Sequence, residues 1–197
     1  MTTSDARPHT PSRNEVEDAF HTLLAALGRG SDDAFRDTPA RATELWLQHL
    51  LAAETVDPTS VLGSGIPTQE QTPIVVRDVG ITMVCPHHMT VGFGKGQVAY
   101  TPNARIIGFG RISELIRACT QRFILQEDAA ALIAQSLFDA LTPLAVVARL
   151  DVLHPCHNVL EPRAHDSMVT CWSERGAPEQ RDVIRQLLLA PQPAAAR

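Results

Sequence analysis

The spacing of apolar side chains predicts a helical first part of the chain. From residue 14 to about 53, apolar residues recur every three or four positions, as at Val16, Phe20 and Leu23. This period is typical of helices that pack through one face. The pair Thr38-Pro39 predicts the start of a second helix, with Thr38 as N-cap and Pro39 in the first turn. Residues 54–72 are rich in Pro and Gly and are predicted to form a connecting loop.

From residue 74 the apolar pattern changes to the alternation that is typical of strands. Two consecutive helices interrupt it, and a short helix closes the chain. The predicted strands are 74–85 (bent near Asp78-Val79-Gly80), 92–100, 145–152 and 167–172, and the predicted helices are 111–123, 127–141 and 178–189. An order of two strands, two helices and two strands indicates an α+β fold with an antiparallel sheet.

These patterns divide the chain into four regions. They are a disordered leader (1–13), an N-terminal helical region (14–72), an α+β domain (73–190) and a disordered tail (191–197). The leader is polar and lacks the apolar stretch of a secretory signal.

Composition and charge exclude several classes of partner. The net charge of −5 and the absence of any run of Lys or Arg argue against nucleic acid and against an anionic membrane. No apolar run approaches the ~18 residues of a membrane span. Four cysteines in 197 residues do not resemble a secreted disulfide scaffold, so we expect reduced thiols and a cytoplasmic protein.

The segment Cys85-Pro86-His87-His88, with His154-Pro155-Cys156 about seventy residues later, predicts a metal site. Two thiolates and one imidazole, from Cys85, His88 and Cys156, form a ligand set that suits Zn²⁺ and leaves its fourth position open, as in catalytic sites. His87 and His154 each adjoin a proposed ligand and are candidates for proton transfer.

Each of these residues also has a simpler interpretation. The zinc could be structural, closed by Cys119 or Cys171, and His87 and His154 could merely support the site or pack. His157 and His165 are more simply exposed loop histidines than further ligands.

Five elements in this order and spacing resemble the GTP cyclohydrolase I family of the tunnelling-fold superfamily, from Asp37 to Trp172. They are Thr38-Pro39-Ala40-Arg41, Cys85-Pro86-His87-His88, Ile107-Gly108-Phe109-Gly110-Arg111, Gln126-Glu127 and His154-Pro155-Cys156. The resemblance implies a four-stranded antiparallel sheet with two helices on one face. It also implies a zinc-dependent hydrolase that opens the imidazole ring of GTP, giving dihydroneopterin triphosphate and formate.

The resemblance also assigns roles to residues. Cys85, His88 and Cys156 would bind zinc, His87 and His154 would carry protons, and Glu127, backed by Gln126, would bind the guanine edge. Arg41 and Arg111 would contact phosphate. The alternatives are a helix-start carboxylate for Glu127 and exposed helix charges for the two arginines.

The phosphate-binding half of the family pattern is incomplete here. Glu114 stands where the family commonly has Arg, and Leu160 replaces another Arg. Arg111 replaces Lys, Gly110 replaces Ser, and Pro86 replaces Glu; Arg105 or Arg163 could compensate.

We therefore expect a cyclohydrolase of this type, acting on GTP or another guanine-type purine. The alternatives are a divergent zinc enzyme acting on a purine or pterin ring with few or no phosphates, and a non-catalytic zinc-stabilised paralogue. The resemblance further implies a homo-oligomer, a decamer, with sites at subunit interfaces. An open antiparallel sheet has edges that need covering, which also favours assembly.

Overall fold

The computed structural model describes residues 11–161 and 167–191. The predicted leader, except for residues 11–13, and most of the predicted tail lie outside these ranges, as do Arg163 and His165. The main elements are α1 (Arg13–Ala26), α2 (Thr38–Leu45), β1 (Ile74–Val84), β2 (Val91–Thr101), α3 (Phe109–Thr120), α4 (Gln126–Leu141), β3 (Ala145–Leu153), α5 (Pro155–Leu160), β4 (Met168–Gly176) and α6 (Pro178–Leu189).

The four strands form one antiparallel sheet in the order β1-β2-β3-β4. The register of β1 and β2 shifts between Val76 and Val79, and Asp78 at the shift has a positive φ of 56°. This bulge is the bend that the sequence predicts, and it increases the local twist of an edge strand.

The main core lies between one face of the sheet and helices α3 and α4. It is built from aliphatic side chains such as Ile116 and Leu137 of the helices and Val98 and Leu150 of the sheet, all without solvent exposure. On the opposite face α6 covers one end of the sheet, where Ile184 and Leu188 pack on Ala99 and Val147. The predicted α+β class, with an antiparallel four-stranded sheet and two helices on one face, is confirmed.

The N-terminal helices attach to this domain through aromatic side chains. The ring of Trp46 lies 6.2 Å from that of Phe20 in α1 and 5.9 Å from that of Phe123, which follows α3. Helix α1 buries none of its residues, and Leu23 and Leu27 remain more than half exposed. The apolar stripe predicted for this helix is therefore covered only in part within one chain, since Phe20 packs against Trp46 while Leu23 stays exposed.

Several local expectations need correction. Helix α2 begins at Thr38, and its N-cap is Asp37, one residue before the predicted N-cap. Thr38 is already the first helical residue, and Pro39 is tolerated as the second because it still lies in the first turn. The predicted loop 54–72 contains a 3₁₀ turn (Pro58–Val61) and a two-residue strand (Ile66–Pro67) that pairs with Arg105–Ile106. Strand β4 continues to Gly176, and helix α5 was not predicted. Among the residues described, no helix is long and apolar enough to cross a membrane.

Candidate metal centre and active site

The proposed ligands and proton carriers meet at one end of the sheet. The hairpin loop from β1 to β2, the carboxyl end of β3 and the first turn of α4 all lie there, because antiparallel neighbours place these termini together. A cavity of about 490 Å³ opens between them. Seven of the predicted site residues line it: Cys85, His87, His88, Gln126, Glu127, His154 and Cys156.

Cys85 and His88 are presented by the tight loop that joins β1 to β2. The amide of Cys85 donates to the carbonyl of Thr90, and the amide of Met89 donates back to the carbonyl of Cys85, both at 2.9 Å. Met89 has a φ of 54°, which turns the chain toward Val91. The loop brings Cys85 Sγ to 3.8 Å from His88 Nδ1.

Cys156 comes from the first turn of α5, directly after β3. His154 has extended backbone angles at the N-cap, and Pro155 occupies the first turn, where its missing N–H costs nothing. Because Phe93 of β2 pairs with Leu153 of β3, this turn lies beside the hairpin loop. The long-range approach of Cys156 therefore follows from strand pairing.

The donor set of this group fits zinc. One ligand atom each from Cys85, His88 and Cys156 lies within 4.8 Å of the others. Bond lengths of about 2.3 Å to sulfur and 2.0 Å to nitrogen in a tetrahedron place S and N ~3.5 Å apart, close to the 3.8 Å found between Cys85 Sγ and His88 Nδ1. Two cysteines and one histidine would hold Zn²⁺ with one position left for water.

The cysteines considered as a fourth ligand lie elsewhere. Cys119 is fully buried in the core, and burial raises the pKa of its thiol to about 12. Cys171 is on β4, and its pKa is raised by burial and by the carboxylate of Glu127, which it contacts. Within the described ranges, the group of possible metal ligands is limited to Cys85, His88 and Cys156.

The two histidines flanking the ligands have different surroundings. His87 is exposed, and its ring meets that of His88 edge-on with 6.2 Å between centroids. His154 is partly buried, and this burial lowers its pKa; Glu127 opposes the shift and His157 adds to it. A neutral imidazole at His154 is therefore favoured at neutral pH, as an acceptor of protons requires.

The first turn of α4 presents two polar side chains with opposite environments. Glu127 is exposed to the cavity, where the helix N-terminus stabilises its negative charge. Gln126 is 3% exposed and directs its side chain into the protein. Its amide nitrogen donates to the carbonyls of Leu150 and Val169, and its oxygen lies 2.7 Å from His154 Nε2.

Two contacts of this site were missed at the sequence level. The first is the hydrogen bond between Gln126 and His154, which are 28 positions apart. The second is the contact of Cys171 with Glu127, where the sequence suggests a core position or a zinc ligand for Cys171. Neither has a local signal, although the alternation along β4 places Val169 and Cys171 on one face.

The predicted phosphate contacts are not part of the cavity lining in a single chain. Arg41 is exposed and paired with Asp37 at 3.2 Å, and Arg111 is exposed and paired with Glu114 at 2.8 Å. Leu160 is 70% exposed at the end of α5 and contributes to a small apolar recess with Val159. A separate cavity of about 550 Å³ contains Lys95 and Arg117 but none of the predicted site residues.

The fold and the site together define an α+β protein with a group of three possible metal ligands beside a cavity. Comparison with known proteins agrees with this class. The model of the family "GTP cyclohydrolase I" matches residues 16–190. The chain belongs to this family.

Individual relatives are distant but match along most of their length. The chain is 28% identical over 182 residues to GTP cyclohydrolase 1 of Streptococcus agalactiae serotype Ia, covering 91% of this chain and 97% of the relative. It is 35% identical over 152 residues to GTP cyclohydrolase 1 of Allorhizobium ampelinum, covering 74% of each. Among solved structures, the apo archaeosine synthase QueF-Like matches 56% of this chain and 97% of its own, with 18% identity and a TM-score of 0.44.

Proposed function

We propose that this protein is a zinc-dependent cyclohydrolase that opens the imidazole ring of a guanine-type purine. The observation that carries the proposal is the convergence on one cavity of three zinc-type ligands, two histidines and the helix-start carboxylate of Glu127. Names of the relatives, GTP cyclohydrolase 1, support the same reaction class.

The residues of the cavity have separate roles in such a hydrolysis. Cys85, His88 and Cys156 would hold the zinc, which when bound supplies Lewis-acid activation of water. Glu127 accepts hydrogen bonds from the 2-amino group and the adjacent ring N–H of guanine, because an ionised carboxylate offers two acceptor oxygens. This pairing orients the five-membered ring toward the metal end of the cavity.

The two histidines move protons at the reacting ring. Opening the imidazole requires water to lose a proton and a ring nitrogen to gain one. His154, kept neutral by burial, accepts a proton, and exposed His87 exchanges protons with solvent and delivers one to the ring nitrogen. Complete release of the ring carbon as formate needs a second hydrolysis at the same position.

We further propose that the substrate carries fewer phosphates than GTP, or none. Both arginines expected to bind phosphate are already paired with acidic side chains, and Leu160 presents an apolar surface. Removing one cationic contact from a phosphate chain costs on the order of a few kcal/mol at an effective dielectric near 20, before screening by salt.

The active assembly is proposed to be a homo-oligomer, a decamer, with sites at subunit interfaces. Large apolar side chains remain exposed in one chain at the start of α3 and just after α1, namely Phe109 at 67% and Leu27 at 65%. Within the described residues β1 and β4 are the edge strands of the sheet, and outside the sheet β1 pairs only at Val84, with Phe123. Arg41 and Arg111 would then serve the cavity of a neighbouring chain.

The proposal is tested by incubating zinc-loaded protein with GTP, GMP, guanosine and guanine, then measuring formate and product masses. Ring opening with kcat/KM for GMP or guanosine at least equal to that for GTP is expected. Strong preference for GTP refutes the phosphate part. Zinc-dependent stability with no turnover of any of the four favours the non-catalytic alternative.

A variant that removes the acidic partner of Arg111 tests the proposed number of substrate phosphates further. Glu114→Gln releases Arg111 from its 2.8 Å ion pair and should improve kcat/KM for GTP while leaving guanosine unaffected. Asp37→Asn, which releases Arg41, is the matched variant on α2. Equal effects on GTP and guanosine would show that neither arginine meets phosphate.

A further inference from the structure

We infer that Gln126 is a positioning residue that fixes the ring orientation and the tautomer of His154. This inference rests on the proposed function for its catalytic meaning, but its structural part stands on contacts alone. Gln126 is the first residue of α4 and is almost completely buried, at 3% exposure. A buried amide must place each of its polar atoms against a partner.

The orientation of the Gln126 amide is determined by its neighbours. Its nitrogen lies 2.9 Å from the main-chain oxygens of Leu150 on β3 and Val169 on β4. A carbonyl oxygen only accepts, so both positions require the two hydrogens of the NH₂ group. Exchanging the amide oxygen and nitrogen would place oxygen against two oxygens, which excludes the flipped arrangement.

A fixed amide determines the proton on His154. With the NH₂ group committed to the sheet, Gln126 Oε1 faces His154 Nε2 at 2.7 Å and acts as an acceptor. Only a protonated Nε2 donates to it, so the neutral ring carries its hydrogen on Nε2 and its lone pair on Nδ1. The proton-accepting nitrogen of His154 is therefore Nδ1.

This arrangement also separates the roles of two adjacent residues. Both N–H groups of Gln126 are used by the sheet, so no donor remains for a purine. Recognition of the guanine edge falls to Glu127, which is exposed to the same cavity. The carbonyls of Leu150 and Val169 thus fix the Gln126 amide, and this amide in turn orients His154.

The tautomer is measured first, in the zinc-loaded wild-type protein and without substrate. Long-range ¹⁵N–¹H correlation spectra of ¹⁵N-histidine-labelled protein are recorded above the imidazole titration range, and His154 is assigned by loss of its signals in His154→Asn. The Nε2–H pattern is expected. An Nδ1–H pattern overturns the inference, whether or not the protein hydrolyses a purine.

Variants then test whether Gln126 acts through His154. Gln126→Leu removes the acceptor, and its His154 signals should change to a mixture of tautomers. Gln126→Glu is the second variant, since it keeps the length and the acceptor but sets a carboxylate against two carbonyls. Unchanged His154 signals in both variants overturn the inference. Gln135→Leu, at a half-buried position of α4 outside the cavity lining, where the side chain bonds Arg175, serves as the control.

Kinetics separate positioning from substrate binding. With whichever guanine compound is turned over, Gln126→Leu should lower kcat by about 10–100-fold, as other orienting residues do, with little change in KM. In the His154→Asn background the same change should add almost nothing. A raised KM at unchanged kcat, or full additivity, would assign Gln126 to substrate binding instead.

Discussion

Arg122 links the N-terminal segment to the loop that leads into the active site, and its removal gives a quantitative test of this architecture. Its Nη2 donates to the carbonyls of Ala53 at 2.7 Å and Val56 at 2.9 Å, and to that of Ala118 one turn earlier in α3. The two segments are also joined by a hydrogen bond that the amide N–H of Ala53 donates to the carbonyl of Gln121. Two separate segments therefore depend on one guanidinium.

The perturbation is Arg122→Met, which keeps the apolar part of the side chain. A hydrogen bond from a charged donor contributes about 1.5–3 kcal/mol, but one NH₂ group saturates only two of the three acceptors at a time. Two such bonds amount to ~3–6 kcal/mol, and partial exposure lets water replace some of this. We expect a loss of about 2–4 kcal/mol in the free energy of unfolding, or roughly 5–15 °C in Tm for a chain of this size.

The assay is urea unfolding followed by circular dichroism at one fixed protein concentration, because assembly would couple stability to concentration. Arg117→Met, at an exposed position of α3, is the control and should change stability by less than about 0.5 kcal/mol. Zinc content should be unchanged in both variants, since the ligands lie on other elements. A loss below ~0.5 kcal/mol for Arg122→Met would show that the two segments do not depend on this guanidinium.

Two further predictions concern charge and metal. Glu174 receives two hydrogen bonds from Arg185, which lower its pKa, so the pair stabilises the fold above the ordinary carboxyl pKa and this contribution is lost as pH falls through the lowered value. Glu174→Gln should therefore lower the urea midpoint at neutral pH and match the wild type in acid, unlike Glu179→Gln; a constant difference at all pH values would contradict this. Cys156→Ala should lose most bound zinc by elemental analysis after dialysis while Cys171→Ala keeps it, and equal zinc in both would reject the ligand set.

The sheet and the metal group could be predicted because their signals are local or periodic. The alternation from Ile74 to Val84, the bulge at Asp78 and the helix periods of α3 and α4 are all visible in the sequence. The Cys85–His88 spacing fits a hairpin loop once its two flanking strands are identified. Cys156 joins them because β3 pairs with β2, which the strand order implies.

The remaining features depend on contacts between distant segments. Helix α5 has only six residues and begins with Pro155, so it is too short to show the apolar periodicity that predicts a helix. The bond from Gln126 to His154 needs the packing of α4 against β3 and β4, and the pairing of Arg111 with Glu114 is one of several arrangements open to an exposed side chain. Propensity and spacing do not specify such tertiary contacts.

Hydrolytic opening of a guanine ring at the Cys85–His88–Cys156 centre is the central activity that we propose for this protein. Zinc-loaded protein is incubated with guanosine and with GTP in water enriched in heavy oxygen, and products are analysed by mass spectrometry against chelator-treated protein and Cys156→Ala. We predict a zinc-dependent, ring-opened product or formate that carries solvent oxygen, absent from both controls. Unchanged guanosine and GTP in the presence of fully zinc-loaded, folded protein would contradict it.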